Sequence, residues 1–203
     1  MYILALTGSI ATGKSTVLKI FSEQNIATIS ADEIVHKLYD NQAFKQLALA
    51  FPIAINDNKI DRKILKKIIL GSTKNLKILE DILHPLVQKE IEKFILKSKE
   101  ENRQIIVLEI PLLFESNNKY QYDAIAVTYC DEETQLERVL LREGMSKQKL
   151  QFILNQQMPQ KDKKERADFL IDSSTGLEDT KKQVKDIILA IKQIIKTPKK
   201  NIH

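Results

Sequence analysis

The chain has 203 residues, of which 43% are hydrophobic and 29% charged, enough to bury a sizeable core in one domain with at most an insertion. No apolar stretch approaches the roughly 18 residues that a membrane helix needs, and the first residues resemble a strand, so we expect neither a membrane partner nor a signal peptide. The net charge of +5 arises from 32 basic residues mixed with 27 acidic ones, which favours a solvated surface over a nucleic-acid site.

Short apolar runs alternate with amphipathic helical patterns along the chain. Strands are predicted at 2–7, 26–30, 104–109, 124–129 and 168–172. Helices are predicted at 14–24, 31–40, 42–50, 61–70, 74–99, 132–143, 146–157 and 177–196. This alternation predicts an α/β fold with a five-stranded parallel sheet and helices on both faces. Functional residues are then expected just beyond the carboxyl ends of the strands.

The interval between the second and third predicted strands breaks the alternation. It contains about four helical segments and no clear strand, so we interpret it as an inserted helical subdomain. Within the pattern 74–99, Pro85 should break or kink the helix after His84. A lone histidine in such a place is more often a packed or helix-end residue than a catalyst.

The first predicted strand leads into a complete phosphate-loop motif. Residues 8–15 read Gly8-Ser9-Ile10-Ala11-Thr12-Gly13-Lys14-Ser15, which matches G-x-x-x-x-G-K-[ST] between a strand and a helix. The backbone N–H groups of such a loop and the following helix N-terminus form an anion site. Lys14 would reach the β- and γ-phosphates, Ser15 would bind Mg²⁺, and Thr16 completes the predicted contacts to ATP phosphates.

Polar residues follow the second and third predicted strands. Ser30 and Glu33 fit a capping box, which leaves Asp32 for a role as general base or substrate anchor. Glu109 interrupts an apolar run, and it either faces a solvated sheet edge or lies buried beside a Mg²⁺-bound water. Pro111 cannot continue the strand and should turn the chain out of the sheet.

Arg138 and Arg142 are spaced four residues apart in the predicted helix 132–143 and should share one face. Two arginines on one face suit a clamp that stabilises a transferring phosphoryl group. Ion pairing with Glu137 or Asp131 is the simpler alternative. Residues 143–147 then indicate a hinge into a mobile cover.

Cys130 is the only cysteine, which excludes an internal disulfide and suggests a reducing, cytoplasmic environment. The acidic residues 131–133 that follow it disfavour a thiolate, so a catalytic role for this thiol is not expected.

Together these motifs resemble the dephospho-coenzyme A kinase family over about residues 2–190. The matching pieces, in chain order, are Leu6-Thr7-Gly8, Gly13-Lys14-Ser15-Thr16, Ala31-Asp32, Asp61-Arg62-x-x-Leu65, His84-Pro85, Pro111-Leu112-Leu113-Phe114-Glu115, Gln135-x-x-Arg138-x-x-x-Arg142, Gln157 and Ala167-Asp168-x-x-Ile171. Only the phosphate loop is diagnostic alone, but the ordered series is specific.

The resemblance implies a three-layer P-loop kinase fold with a helical, coenzyme A-binding insert and a lid. Its parts would be a core of 1–32, 103–142 and 167–196, an insert of 33–102, a lid of 143–166 and a flexible basic tail of 197–203. The implied reaction uses ATP and Mg²⁺ to phosphorylate the ribose 3′-hydroxyl of 3′-dephospho-coenzyme A. We expect a cytoplasmic monomer or weak homo-oligomer.

The resemblance also implies roles for individual residues. Asp32 would take or orient the hydroxyl proton, while Lys14, Arg142 and Arg138 would stabilise the transferring group. The implied substrate-side residues are Asp32, Arg62, His84, Pro111, Leu112 and Leu113. Ser15 would hold Mg²⁺, with Glu109 contributing through water.

The chain departs from the family pattern at four positions. Ser9 and Ala11 replace glycines of the common family loop, and a positive φ at either site would cost roughly 1 kcal/mol. Ser30 replaces the first aspartate of a D-A-D motif. Ser173 replaces a usual asparagine, which weakens any assignment of adenine contacts there.

Three other functions fit parts of the sequence. A GTPase is suggested by Asn58-Lys59-Ile60-Asp61, an N-K-x-D string, but it lies in a helix-rich region and no D-x-x-G occurs. A kinase of another small acceptor, such as a nucleoside monophosphate, is opposed by the insert and His84-Pro85. A regulatory ATP-binding or RNA-binding module would lack an acceptor site. The predicted position of Asp32 near the γ-phosphate argues against such a module.

Overall fold

A computed structural model describes residues 1–116 and 120–197. The strands are β1 (Tyr2–Gly8), β2 (Ala27–Ser30), β3 (Ile55–Asn56), β4 (Lys59–Ile60), β5 (Ile105–Glu109), β6 (Ala124–Tyr129) and β7 (Phe169–Asp172). The helices are α1 (Lys14–Glu23), α2 (Ala31–Tyr39), α3 (Phe44–Ala50), α4 (Arg62–Leu70), α5 (Thr73–Glu100), α6 (Glu132–Leu140), α7 (Lys147–Leu154), α8 (Gln160–Glu165) and α9 (Leu177–Lys196), with a 3₁₀ turn at Pro52–Ala54.

The main sheet confirms the predicted five strands and has the order β2-β5-β1-β6-β7. The central strand β1 pairs in parallel with β5 on one side and β6 on the other, and β6 pairs in parallel with β7. The connection after β1 runs to β2 on one side of the sheet and the connection after β6 runs to β7 on the other, which places a crevice between the carboxyl ends of β1 and β6. The predicted phosphate loop begins at that crevice.

Buried apolar residues dominate the central strands β1, β5 and β6, because helices cover the sheet on both faces. All residues of β1 after Tyr2 are buried. One core cluster joins β1 and β6 to the inner faces of α1 and α9, and it includes Leu4, Leu6, Phe21, Val184 and Ile191. This packing fixes α1, and therefore the end of the loop, against the sheet.

The chain divides into two compact units, one formed by residues 1–29 and 98–203 and the other by residues 30–97. The second unit contains the four predicted helical segments, α2 to α5. The expectation that this interval has no strand is wrong, because β3 and β4 form a small antiparallel hairpin. Its two turn residues, Asp57 and Asn58, both have positive φ (47° and 57°), as a type I′ turn requires.

Of the two alternatives at Pro85, the break is wrong, since α5 continues through it from Thr73 to Glu100, and the kink stays a prediction. Proline removes one backbone hydrogen bond from a helix interior, and the burial of an apolar stripe along α5 offsets this loss. The stripe consists of Leu79, Leu83, Val87, Ile91 and Ile95, each at most 6% exposed.

Helix α8 is a further element that the sequence did not predict. The basic tail predicted at 197–203, including His203, lies outside the described residues after Thr197. Among the helices that the structure describes, none combines the length and the apolar character needed to cross a bilayer.

Candidate active site

A side chain would clash at the first fixed glycine of the phosphate loop and would be strained and crowded at the second. Gly8 has φ of 154°, and a Cβ there would meet the backbone and side chain of Thr128 and lie 2.8 Å from Thr12 Oγ1. Gly13 has φ of 87°, and its Cβ would lie 3.2 Å from Ser173 Oγ. The motif is therefore required by the close packing of the loop against β6 and the residues after β7.

Internal hydrogen bonds hold the loop closed. Thr12 Oγ1 donates to Ser9 O at 2.9 Å and is 2.9 Å from Thr128 Oγ1. Lys14 Nζ donates to the carbonyls of Gly8 (2.8 Å) and Ser9 (3.0 Å). These bonds keep the ammonium group of Lys14 beside the loop backbone, as a phosphate-binding lysine requires.

The N-terminus of α1 is open to an anion. Gly13 is the N-cap and no side chain caps this end, and the first turn contains no acidic residue. The first intrahelical bond runs from Val17 N to Gly13 O at 3.0 Å, so the preceding N–H groups have no partner within the helix. Ser15 and Thr16 are exposed in this turn. The helix dipole and these N–H groups favour a phosphate here.

The two departures from the family loop differ in their consequences. Ala11 has φ of 60°, a conformation that favours glycine, whereas Ser9 is not among the described residues with positive φ. The Ala11 methyl is buried in a small apolar cluster with Val139 and Leu150, which offsets part of the backbone strain. The hydroxyl of Ser9 is buried with no hydrogen-bond partner among the described residues.

The prediction that Arg138 and Arg142 share a helical face is wrong. Helix α6 ends at Leu140, and Arg142 lies beyond it in a turn where its N–H donates to Val139 O at 3.0 Å. The chain turns again at Gly144, which has φ of 69°, before α7 begins. Arg142 is exposed at this position.

Arg138 is anchored at the base of the loop. Its Nη1 donates to Ser173 Oγ at 2.8 Å and its Nη2 to Ser173 O at 2.7 Å, with a longer contact of 3.5 Å to Ala11 O. The alternative of ion pairing with Asp131 or Glu137 is not what the structure shows. Asp131 instead caps α6. Its pKa is lowered chiefly by the hydrogen bond from the Thr134 backbone N–H and next by the one from the Thr134 hydroxyl.

Two glutamines contact the loop directly. In the sequence they were singled out only as part of the family pattern. Gln135 Nε2 donates to Ile10 O at 2.7 Å, and Ile10 N donates to Gln157 Oε1 at 3.0 Å. Their position could have been inferred only from the tertiary packing of α6 and α7 against the loop.

The end of β5 lies beside the end of β1. Glu109 is paired in register with Leu6 and is 4% exposed, so the alternative of a solvated sheet edge is wrong. Strand β5 ends at Glu109, as the position of Pro111 predicted. The Pro111 carbonyl accepts a hydrogen bond from Thr7 Oγ1 at 3.3 Å. Leu113 is buried, whereas Leu112 is 46% exposed.

A buried ion pair follows this strand and was not predicted. Lys163 Nζ, fully buried on α8, lies 2.8 Å from Glu115 Oε1. The same oxygen accepts a hydrogen bond from Met158 N at 2.9 Å. The segment after β5 is thus tied to the segment that leads into α8. Sequence alone could not distinguish Lys163 from its exposed neighbours.

Desolvation raises the pKa of Cys130, which lies buried at the end of β6. A raised thiol pKa disfavours the reactive thiolate.

Within the second unit, Ser30 caps α2 as predicted, with its Oγ accepting from Glu33 N at 3.4 Å. Asp32 is exposed in the first turn of α2, and the cap makes no use of its carboxylate.

Arg62 lines an open groove in the same unit. Its Nη2 donates to His36 O at 3.2 Å and approaches Asp40 Oδ2 at 3.5 Å, and its guanidinium lies 5.6 Å from the centre of the Tyr39 ring. The other residues lining the groove are Glu33, His36, Lys37, Asp40 and Asn41. His84, on α5, is not among these residues, so the structure does not bring the two predicted substrate residues into one groove.

The N-K-x-D string has local structural roles. Asn58 is a turn residue of the β3–β4 hairpin. Asp61 caps α4, with its Oδ1 accepting from Lys63 N (2.9 Å) and Ile64 N (3.0 Å). These positions remove the basis for a guanine-binding site.

No group of three or more His, Cys, Asp or Glu side chains in residues 1–116 and 120–197 could hold a metal ion. Mg²⁺ bound to nucleotide phosphates commonly keeps several waters and needs only one or two protein ligands. The exposed hydroxyl of Ser15, at the open end of α1, fits that kind of site.

Comparisons with known proteins agree with this geometry. A family model described as dephospho-CoA kinase matches residues 2–179. Curated dephospho-CoA kinases from Agrobacterium fabrum and Bartonella quintana are 40% and 41% identical, and each alignment covers 93% of this chain and 97% of the relative.

Solved structures give the same result. A dephospho-CoA kinase from Campylobacter jejuni is 31% identical with a TM-score of 0.71, over 94% of this chain and 97% of that one. A Thermus thermophilus protein is 26% identical with a TM-score of 0.79, over 93% and 96%. The phosphate loop, the sheet order and these matches over nearly the whole chain lead to one conclusion: the chain belongs to the dephospho-CoA kinase family.

Proposed function

We propose that this protein transfers the γ-phosphate of ATP to the ribose 3′-hydroxyl of 3′-dephospho-coenzyme A, giving coenzyme A and ADP. This is the last step of coenzyme A biosynthesis. The observation that carries the proposal is the phosphate loop at the carboxyl end of β1, with its two required glycines and the open α1 N-terminus. Family membership over residues 2–179 supplies the identity of the acceptor.

The nucleotide phosphates would lie over the loop and the first turn of α1. Lys14, held beside the loop by the Gly8 and Ser9 carbonyls, would move its hydrogen bonds to the β- and γ-phosphates. Mg²⁺, when bound, supplies positive charge to the same phosphate oxygens. Ser15 would hold that ion, and the buried Glu109 would contact it only through water.

Asp32 would receive the proton of the 3′-hydroxyl as the oxygen attacks the γ-phosphorus and the bond to the β-phosphate oxygen breaks. Two observations support this role. The carboxylate is exposed just beyond the end of β2, and the helix cap is made by Ser30 instead. A positioned carboxylate can act as a general base for a hydroxyl.

The two arginines would then have different tasks. Arg142 is exposed between α6 and α7, and we propose that it stabilises the charge on the transferring phosphoryl group. Arg138 is held by Ser173 and would act from the base of the loop. Closure of a lid over 143–166 would exclude water and limit wasteful hydrolysis of ATP.

The acceptor would be bound by Arg62, His84, Pro111, Leu112 and Leu113, together with Asp32. The groove at Arg62 and the exposed side chain of Leu112 support this assignment. We further propose that the enzyme works in the cytoplasm on small-molecule substrates, as a monomer or weak homo-oligomer.

A coupled assay of ADP release tests the proposal. The purified chain is given MgATP with 3′-dephospho-coenzyme A, with AMP, or with no acceptor. We expect rapid ADP release only with 3′-dephospho-coenzyme A. A preference for AMP would indicate a nucleotide kinase, and equal release in all three reactions would indicate an ATP-hydrolysing or regulatory module.

A further inference from the structure

The loop residue Ile10 has both of its backbone polar groups bound by glutamine side chains. Gln135, on α6, donates to its carbonyl at 2.7 Å, and Gln157, three residues after α7, accepts from its N–H at 3.0 Å. The partners fix the orientation of each amide, because a carbonyl can only accept and an N–H can only donate. Gln135 is 6% exposed, so its hydrogen bond is shielded from water.

Each of these hydrogen bonds also fixes the direction of a second polar group, because the carbonyl and the N–H of one peptide lie in the same plane. In a trans peptide the carbonyl and the next N–H point in opposite directions. By holding the Ile10 carbonyl, Gln135 therefore sets the direction of the Ala11 N–H, in a residue whose φ of 60° is strained for alanine. By holding the Ile10 N–H, Gln157 sets the direction of the Ser9 carbonyl, which accepts from Lys14 Nζ at 3.0 Å.

Apolar packing fixes the elements that carry the two glutamines. Ala11, Val139 and Leu150 form a buried cluster that joins the loop to α6 and α7. The partly buried side chains packed against it are Ile10, Leu136, Met145 and Leu154. The loop is thus attached to the segment 135–157 by these two hydrogen bonds, by the longer contact of Arg138 with Ala11 O, and by the apolar cluster, so a shift of α7 would be transmitted to the loop backbone.

We propose that Gln135 and Gln157 are positioning residues that hold the Ile10 backbone and thereby set the affinity of the loop for nucleotide phosphates. This inference rests on the proposed kinase function. Loss of either contact would leave the Ile10 peptides free to rotate, so that the Ala11 N–H or the Lys14 ammonium group would no longer be aimed at a bound phosphate.

The same exchange of glutamine for glutamate, made separately at positions 135 and 157, should have opposite effects and so tests the proposal. Gln157→Glu keeps an acceptor oxygen for the Ile10 N–H, whereas Gln135→Glu replaces the donor with a carboxylate that faces the Ile10 carbonyl. The measurement is binding of a fluorescent ADP analogue with Mg²⁺, without any acceptor. We expect Gln157→Glu to bind within about threefold of the native chain and Gln135→Glu to bind at least about tenfold more weakly, the loss typical of a buried hydrogen bond.

Leucine variants and a neighbouring glutamine supply the controls. Gln157→Leu and Gln135→Leu should each weaken binding about tenfold, whereas Gln156→Glu, at an exposed position, should leave it unchanged. Thermal unfolding of each variant establishes that the assay temperature lies below the transition. If a leucine variant does not fold, the contrast between the two glutamate variants still decides.

Equal affinity of Gln135→Glu and Gln157→Glu would overturn the proposal, as would native affinity in both leucine variants. Failure of the native chain to bind the MgADP analogue would overturn it together with the proposed function. If all variants bind the ADP analogue as expected but the native chain does not phosphorylate 3′-dephospho-coenzyme A, only the proposed function is overturned.

Discussion

Arg138 donates two hydrogen bonds to Ser173, one to the side-chain hydroxyl at 2.8 Å and one to the carbonyl at 2.7 Å. Ser173 Oγ in turn donates to Thr12 O at 3.0 Å. The guanidinium group therefore connects α6, the phosphate loop and the residue that follows β7. Arg142, by contrast, is exposed in the turn after α6.

This difference predicts two distinct effects of removing the arginines. Arg138→Ala should lower the free energy of unfolding by about 2 kcal/mol, since charged hydrogen bonds are lost. Arg142→Ala should leave the unfolding temperature unchanged and lower kcat at least about 100-fold, the effect of losing a group that stabilises the transition state. Denaturant unfolding and steady-state kinetics measure the two quantities. A stable Arg138→Ala variant, or normal kcat in Arg142→Ala, would contradict the assignment.

Asp32→Asn should lower kcat at least about 100-fold, because the amide cannot accept the hydroxyl proton. MgADP binding should be retained, since the cap of α2 is made by Ser30. Asp57→Asn is the matched control, because Asp57 is an exposed turn residue of the β3–β4 hairpin and asparagine adopts the same conformation. Near-normal turnover of Asp32→Asn would remove Asp32 from the catalytic step.

Opposite exchanges of glycine and alanine in the loop should differ sharply. Ala11→Gly relieves the strain of a positive φ but loses a buried methyl worth about 0.8 kcal/mol, so its unfolding free energy should change by less than about 1 kcal/mol. Gly8→Ala places a Cβ against the backbone of Thr128, so it should destabilise the fold by about 2 kcal/mol or more. Similar unfolding curves for the two variants would show that the loop backbone differs from this geometry.

Removal of one partner from the buried pair of Lys163 and Glu115 should strongly destabilise the fold. Lys163→Met leaves the Glu115 carboxylate largely buried and unpaired, which should cost about 3–5 kcal/mol of unfolding free energy. The double variant Lys163→Met, Glu115→Leu should recover much of this loss. Lys161→Met is the control, because the Lys161 side chain is 85% exposed and its ion pair with Glu165 has a length of 4.0 Å. Equal stability of the two single methionine variants would contradict the account.

Much of the fold was predictable because the central strands β1, β5 and β6 are mostly apolar, which is what burial on both faces requires. The β3–β4 hairpin has only two residues in each strand, too few to show a periodic pattern, so it was missed. At Pro85, tertiary burial of the α5 stripe outweighed a local signal that usually ends a helix.

The candidate site was predictable where a motif determines local geometry and not where distant elements meet. Gly8, Gly13 and Lys14 lie where the motif indicated. The contacts of Arg138 with Ser173, Gln135 and Gln157 with Ile10, and Lys163 with Glu115 all join residues more than 30 positions apart. No periodicity in the sequence reports such pairs. The end of α6 at Leu140 had no glycine or proline to mark it before Gly144.

In the proposed reaction, the γ-phosphate of ATP passes to the ribose 3′-oxygen of 3′-dephospho-coenzyme A. Its most direct test is ³¹P NMR of the product formed with ATP labelled by ¹⁸O in the γ-phosphate. We expect one labelled phosphomonoester coupled to the ribose 3′ proton, in equal amount to the ADP released. Label found only in inorganic phosphate, or on any other oxygen of the acceptor, would contradict it.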